Sequence, residues 1–345
     1  MRFIPVLLLM ASFVLSNTVP AQSVGNNGND STFAACITQA SKLLDETLVL
    51  MQKHYYRKDS VEWDDLITSA KIRLNSSSNC ETAHEIVQWC FKQLKERHSF
   101  IMPASKAAVY NGNINSSGNP ATLKQLAGPI RHELIGTDIA YIDVPWLSSA
   151  DKDICTNYAD SLQTLIAGFD KAGVTKWIID LRHNTGGNCW PMLAGLGPLL
   201  GNGTYGYFIS SSEKIPFSYQ NGSVLQGKYK RCTVTNPFML LSTAKHIVVL
   251  TGPNTASAGE IVALAFKGVN NVQFIGEPTA GLTTANATYK LSDGSMLVLT
   301  VCKEADRNGR IYEGRIQPDQ VIAPQPGGGK DVVKAMAVML LDLSN

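Results

Sequence analysis

Ser257 stands where a hydroxyl can be turned into a nucleophile. It belongs to Asn254-Thr255-Ala256-Ser257-Ala258-Gly259-Glu260. The apolar run Ile247-Val248-Val249-Leu250 before it reads as a buried strand, and Ile261, Leu264, Ala265 and Val269 after it recur at helical spacing. Strand, tight Gly252-Pro253-Asn254 turn and helix therefore follow one another, with the serine at the helix mouth. Unpaired N–H groups and a positive dipole end there can stabilise an oxyanion. The same place also suits a plain helix cap by Ser257 or Thr255, so the stretch alone leaves both readings open.

Two further stretches offer chemistry. Glu96-Arg97-His98-Ser99-Phe100 puts His98 just past a helical segment, and a neutral imidazole can take a proton near neutral pH. Asp180-Leu181-Arg182-His183-Asn184-Thr185-Gly186-Gly187 leaves a strand, and its glycine pair lets backbone approach a ligand closely. A structural histidine and a turn that merely needs glycine account for these two stretches as well. The Gly186-Gly187 pair is part of neither a Gly-Lys-Ser/Thr nor a GxGxxG spacing, so this turn does not read as a phosphate loop.

The elements that must position these residues follow from periodicity. Leu43, Leu44, Leu48 and Met51 form one helical face, Trp63, Leu66, Ile67 and Ala70 a second, and Ile86, Trp89, Cys90 and Leu94 a third. These predict a small helical domain over 32–103. Residues 104–137 read as a polar connection. From 138 to 345 the chain reads as one core domain: a βαβ unit over 139–181, hairpins over 204–232, a second βαβ unit over 246–281, a hairpin around Asp293-Gly294 and a closing helix from Asp331. The fold class is thus α/β, with strands of each βαβ unit parallel.

At the start, Arg2, the apolar Ile4–Val14 and Val19-Pro20-Ala21 have the layout of a signal peptide over 1–21. The apolar stretch is too short for a membrane span, no cysteine near the cleavage point suggests a lipid anchor, and a polar linker follows over 22–31. Export to a periplasm or the outside is the expectation. The formal charge is +2, and +1 without Arg2, which favours neither nucleic acid nor an anionic membrane as partner. Seven cysteines at scattered spacing form no small-scaffold framework. His183 and Cys189 lack further ligands at suitable spacing, so no metal is expected, and no cofactor.

Taken together, His98-Ser99, Asp180-Leu181-Arg182-x-Asn184-x-Gly186-Gly187, Thr255-Ala256-Ser257-Ala258-Gly259-Glu260 and Gly276-Glu277-Pro278-Thr279-Ala280-Gly281 resemble, in this order, the tail-specific or C-terminal-processing serine peptidases. The resemblance spans roughly 35–325. It implies a crotonase/ClpP-like core of stacked βαβ units behind a small helical domain. One branch of that family places a lysine where this chain has Leu282, which cannot take a proton. The chain is therefore more similar to the branch represented by the tricorn protease core, which uses a histidine and a distal glutamate. That implies His98 as base and Glu313, in Tyr312-Glu313-Gly314-Arg315, as its orienter. The tricorn pattern has a serine directly before the histidine; here Arg97 stands there and Ser99 follows. The 38 residues between Phe100 and Ile139 are too few for the PDZ domain many relatives insert.

The expected mechanism is acyl transfer. His98 deprotonates Ser257, Glu313 fixes the imidazole, and the oxyanion rests between the Ala258 N–H and an N–H of Gly186 or Gly187. Asp180 and Arg182 brace the glycine turn; His183 is a minor rival base, and Glu260 and Glu277 are alternatives to Glu313. The expected function is an exported serine peptidase acting on peptides or unfolded proteins. A peptide- or apolar-ligand-binding protein on the same scaffold is the alternative, and acyl-CoA chemistry does not suit an exported chain.

Overall fold

A computed structural model of the protein describes residues 29–76, 83–112, 126–241, 246–323 and 331–344. The predicted signal peptide and linker residues 22–28 lie outside the described residues. Helix already begins at Asn29, so the last linker positions are helical instead.

Helices α1 (Asn29–His54), α2 (Trp63–Asn75) and α3 (Ala83–Gln93) come first. Each buries the apolar stripe its sequence carries: Leu44, Leu48 and Met51; Leu66, Ala70 and Leu74; Ile86, Val87 and Cys90. Strand β1 (Phe100–Met102), helix α4 (Ala104–Tyr110) and strand β2 (Arg131–Ile135) follow. The last two lie within 104–137, the stretch that reads as a polar connection. β2 is an exposed edge strand rich in polar residues, so it carries no apolar alternation to reveal it.

The remaining elements are β3 (Ile139–Asp143), α5 (Lys152–Lys171), β4 (Lys176–Asp180), α6 (Cys189–Gly195), α7 (Gly197–Leu200), β5 (Gly203–Ile209), β6 (Lys214–Gln220), β7 (Ser223–Gln226) and β8 (Tyr229–Thr233). After them come β9 (His246–Thr251), α8 (Ala258–Phe266), β10 (Val272–Gly276), β11 (Thr284–Lys290), β12 (Met296–Asp306), β13 (Ile311–Tyr312), β14 (Gln320–Val321) and α9 (Val332–Leu343). The fold is mixed α/β, as the sequence predicts.

Six strands form one sheet in the order β14-β10-β9-β4-β3-β2, all parallel except β2. Its strands are apolar on both faces because helices cover both. Ile142, Ile179 and Val249 face the core containing Leu162 of α5 and Val262 of α8, while Tyr141, Ile178 and Val248 face Val333 and Ala337 of α9. β4 and β9 are neighbours in register, Asp180 beside Leu250, so the turns leaving their carboxyl ends meet.

The other sheet runs β1-β12-β5-β6-β7-β8, with β11 and β13 also paired to β12. β12 is its long central strand. It pairs with β1 at Phe100↔Val298 and with β11 at Thr284↔Lys303. Its Leu297 and Leu299 are also part of the hydrophobic core of α1–α3. Helices and sheet thus share one apolar layer. Leu299→Ala should lower stability by about 3 kcal/mol. Helical and near-ultraviolet signals should be lost in a single urea transition; a separate helical transition would show that the layer is not shared.

Candidate active site

Ser257 occupies the end of the turn between β9 and α8 with φ 51° and ψ −115°, a left-handed conformation that serine seldom adopts. The turn is held from both sides. Thr255 Oγ1 donates to Leu181 O at 2.8 Å and accepts from Gly252 N–H at 3.0 Å, and Ala256 N–H donates to Asn184 O at 3.0 Å. Ser257 N–H donates to Glu260 Oε2 at 2.9 Å.

His98 lies between α3 and β1, with only Ser99 separating it from the strand, so the pairing of β1 with β12 carries it to the Ser257 turn. His98 Nε2 lies 2.8 Å from Ser257 Oγ, between residues 159 positions apart in the chain. Its Nδ1 lies 2.9 Å from Thr284 Oγ1 at the start of β11. Asn286 Nδ2 donates to His98 O at 3.0 Å, and Glu96 Oε1 accepts the His98 N–H at 2.7 Å. Burial holds the imidazole down to about 4, against the raising influence of the Glu96 charge and of Thr284. The ring is therefore neutral at neutral pH.

Thr284, and not the expected Glu313, is the side chain that stands beside His98 Nδ1. The Glu313 carboxylate is paired with Lys303 and its side chain is 67% exposed, so it does not hold the imidazole. No spacing rule marks Thr284. Its only sequence signal is a hydroxyl close behind the Gly281-Leu282 turn. Ser99 is also elsewhere: its hydroxyl donates to Thr300 Oγ1 and accepts from Thr300 N–H, which anchors β1 on β12. His183, the rival base, is exposed and faces Asp143 at 3.6 Å.

The glycine turn lies against the serine. A side chain added at Gly186 (φ 108°) would come within 2.9 Å of Ser257 Cβ, so only glycine permits this approach. The Gly186 N–H, however, donates to Asn184 Oδ1 at 3.0 Å, which removes it as an oxyanion donor. Among the described residues, Gly187 N–H and Ala258 N–H meet no acceptor. Asn184, quoted in the motif but given no role by the sequence, is fully buried and also donates to Val144 O at 3.0 Å. Asp180 accepts from Arg182 N–H and Tyr141 OH, and Arg182 reaches on to Asp331 at the start of α9.

Two carboxyls lie beneath the site. Glu260 is fully buried and accepts four hydrogen bonds, from Ser257 N–H, Thr279 Oγ1, Gly281 N–H and Leu282 N–H. Burial pushes its carboxyl up and those donors pull it back, leaving it raised. Glu304 is fully buried with no partner for either oxygen, and burial and the Glu260 charge push it well above the carboxylate range. Buried without a donor, the Glu304 carboxyl favours its protonated form. Among the described residues no cluster of three or more His, Cys, Asp or Glu could hold a metal, and no helix is long and apolar enough to cross a membrane. Five described cysteines are free and buried.

A serine hydroxyl set against a neutral imidazole at a helix mouth is the arrangement of a serine hydrolase. The profile described as peptidase family S41 matches residues 138–322. A nisin-resistance protein from Lactococcus lactis subsp. lactis is 32% identical over 266 residues, 76% of each chain. The chain belongs to peptidase family S41 and is a serine peptidase. The carboxy-terminal processing protease CtpA of Bacillus subtilis (strain 168) is 32% identical over 223 residues, 64% of this chain and 42% of that one. In fold, the chain is similar to a lipoprotein from Streptococcus agalactiae with a TM-score of 0.69 at 24% identity, over 89% of this chain and 97% of that one. The photosystem II D1 C-terminal processing protease gives 0.54 at 15% identity, over 86% and 97%.

Glu260→Gln brings an amide group against N–H donors and should cost on the order of 3 kcal/mol in thermal or urea unfolding, with loss of activity. Glu304→Gln should behave oppositely. The folded carboxyl keeps its proton where the unfolded one releases it, so wild-type stability falls as pH rises through and above about 4.5. Glu304→Gln lacks that slope and should be the more stable protein at pH 8. Equal pH slopes for the two would refute a protonated Glu304.

Proposed function

We propose that Ser257 is the nucleophile of this peptidase and His98 its general base. The observation that carries this is the 2.8 Å approach of Ser257 Oγ to His98 Nε2. The reaction uses the tautomer in which Nδ1–H donates to Thr284 Oγ1, 2.9 Å away, and Nε2 is the acceptor facing the serine. Ser257 Oγ attacks the scissile carbonyl as its proton passes to Nε2; that proton then goes to the leaving amine. The oxyanion forms between Ala258 N–H and Gly187 N–H, two donors that meet no acceptor among the described residues. Thr284 takes the orienting role, while Asp180 and Arg182 brace the glycine turn. The substrate is a peptide or an unfolded protein, and the leader at 1–21 exports the chain to meet it.

Casein digestion followed by mass spectrometry tests the assignment. Ser257→Ala and His98→Ala should each lower cleavage at least about 1,000-fold while the fold is retained. Cleavage unchanged in both would sink it. The pH profile is a second check. A lowered imidazole stays neutral and able to accept a proton until the pH approaches about 4, so the acid limb of kcat/KM should lie well below 6.5. A limb at 6.5 or above would contradict the buried base.

A further inference from the structure

The threonine facing His98 Nδ1 carries no charge, yet a buried imidazole that takes a proton must become an imidazolium. The carboxylate that favours this charge is Glu96, two residues before the base, and it reaches the backbone rather than the ring. Glu96 Oε1 accepts the His98 N–H at 2.7 Å and the Ser99 N–H at 3.2 Å. Thr300 Oγ1 of β12 stands 3.2 Å from the same oxygen. The His98 carbonyl is held in turn by Asn286 Nδ2 of β11 at 3.0 Å. Both polar backbone groups of His98 are thus fixed, one by a carboxylate and one by an amide.

The helical lead grips Glu96 from the other side. Its Oε2 accepts from Tyr55 OH at 3.0 Å, just past α1, and that phenol oxygen accepts from Arg57 Nη2 at 3.0 Å. Burial holds the Tyr55 hydroxyl well above its ordinary range, so it keeps its proton and donates it. Tyr56 N–H donates to Thr300 O at 3.1 Å, which fastens the end of α1 to the strand beside His98. Lys95 has φ 54°, and Glu96 N–H donates to Phe91 O at 2.8 Å, closing α3 in a turn that leaves Lys95 and Arg97 exposed. The other charges nearby, Lys303 and Glu313, pair with each other, and burial pushes Tyr56 and Tyr312 up, so neither is charged where the base titrates.

We propose that Glu96, set in place by Tyr55 and Arg57, is the positioning residue of the base: it holds His98 through the backbone and supplies the negative charge that stabilises the imidazolium. The proposal rests on the Ser257/His98 reading of the site. No bond to Glu96 forms or breaks. The proton taken from Ser257 stays on the imidazole until it passes to the leaving amine, and Thr284 sets the tautomer while Glu96 sets the charge balance.

Two variants of the full chain test this. Glu96→Gln offers an amide oxygen to the same N–H groups and removes the charge; Glu96→Asp keeps the charge. Each is read by steady-state cleavage of one casein peptide and by NMR titration of the His98 ring, its signal assigned among the six histidines with His98→Ala. Glu96→Gln should lower kcat about 30-fold with KM within about twofold. Losing a charge that raises the imidazole should also move the His98 titration about one pH unit lower. Glu96→Asp should keep kcat within about fivefold of wild type and leave the titration nearly in place. A residue that only packs would impair both variants alike and leave the titration unmoved, and either result overturns the proposal. Should circular dichroism show Glu96→Gln unfolded, Glu96→Asp decides alone, and a larger loss of kcat than stated overturns it. Cleavage that survives His98→Ala would instead count against the base assignment, while the titration still reports the hold of Glu96 on the ring.

Discussion

The carboxylate of Glu260 accepts hydrogen bonds from three segments at once: Ser257, Thr279, and the Gly281-Leu282 turn. Each of its oxygens is satisfied twice, which is what makes so deeply buried a carboxylate tolerable. The turn it grips runs on within two residues to Thr284, the partner of His98. The Ser257 turn and the Thr284 partner of His98 therefore hang from one side chain. The left-handed backbone at Ser257 is held in place by the same contacts, since its own N–H is one of the four donors.

Around that anchor, charge is separated by burial rather than by distance. Glu304 lies near enough to feel the Glu260 charge and has no donor of its own, so it keeps a proton while Glu260 faces four donors. The His98 ring is treated likewise. Burial keeps it uncharged, and Glu96 is positioned to favour the imidazolium once a proton arrives. A ring of that kind is a ready acceptor in the resting protein and a good donor after transfer.

The two βαβ units were legible because Trp177-Ile178-Ile179 and Ile247-Val248-Val249 are buried on both faces and leave no doubt of strand. The Ser257 turn was legible from its strand–turn–helix order. Polar partners were not. Which side chain meets His98 Nδ1 depends on how β11 leaves its turn, and nothing in the order of residues separates Thr284 from Glu313. Asn184 was visible as a letter in a motif, but its several hydrogen bonds arise only when the ends of β3, β4 and β9 converge. The glycine pair does not reveal which N–H is free: Gly186 serves close packing and its N–H is spent on Asn184. β2 and α4 stayed hidden because edge strands and short surface helices carry little apolar pattern.

The stretch 138–322 that matches the family profile contains Ser257, Gly187 and Thr284 but not His98. His98 arrives through β1, and β1 is docked by its pairing with β12 and by the leucines that α1–α3 share with that strand. The division matters for how such a protein can be inherited. On the proposed assignment, a gene segment encoding only 138–322 would transmit a nucleophile without its base, a module better suited to holding peptides than to cutting them. Recombination that keeps the activity has to carry the helical lead along with it.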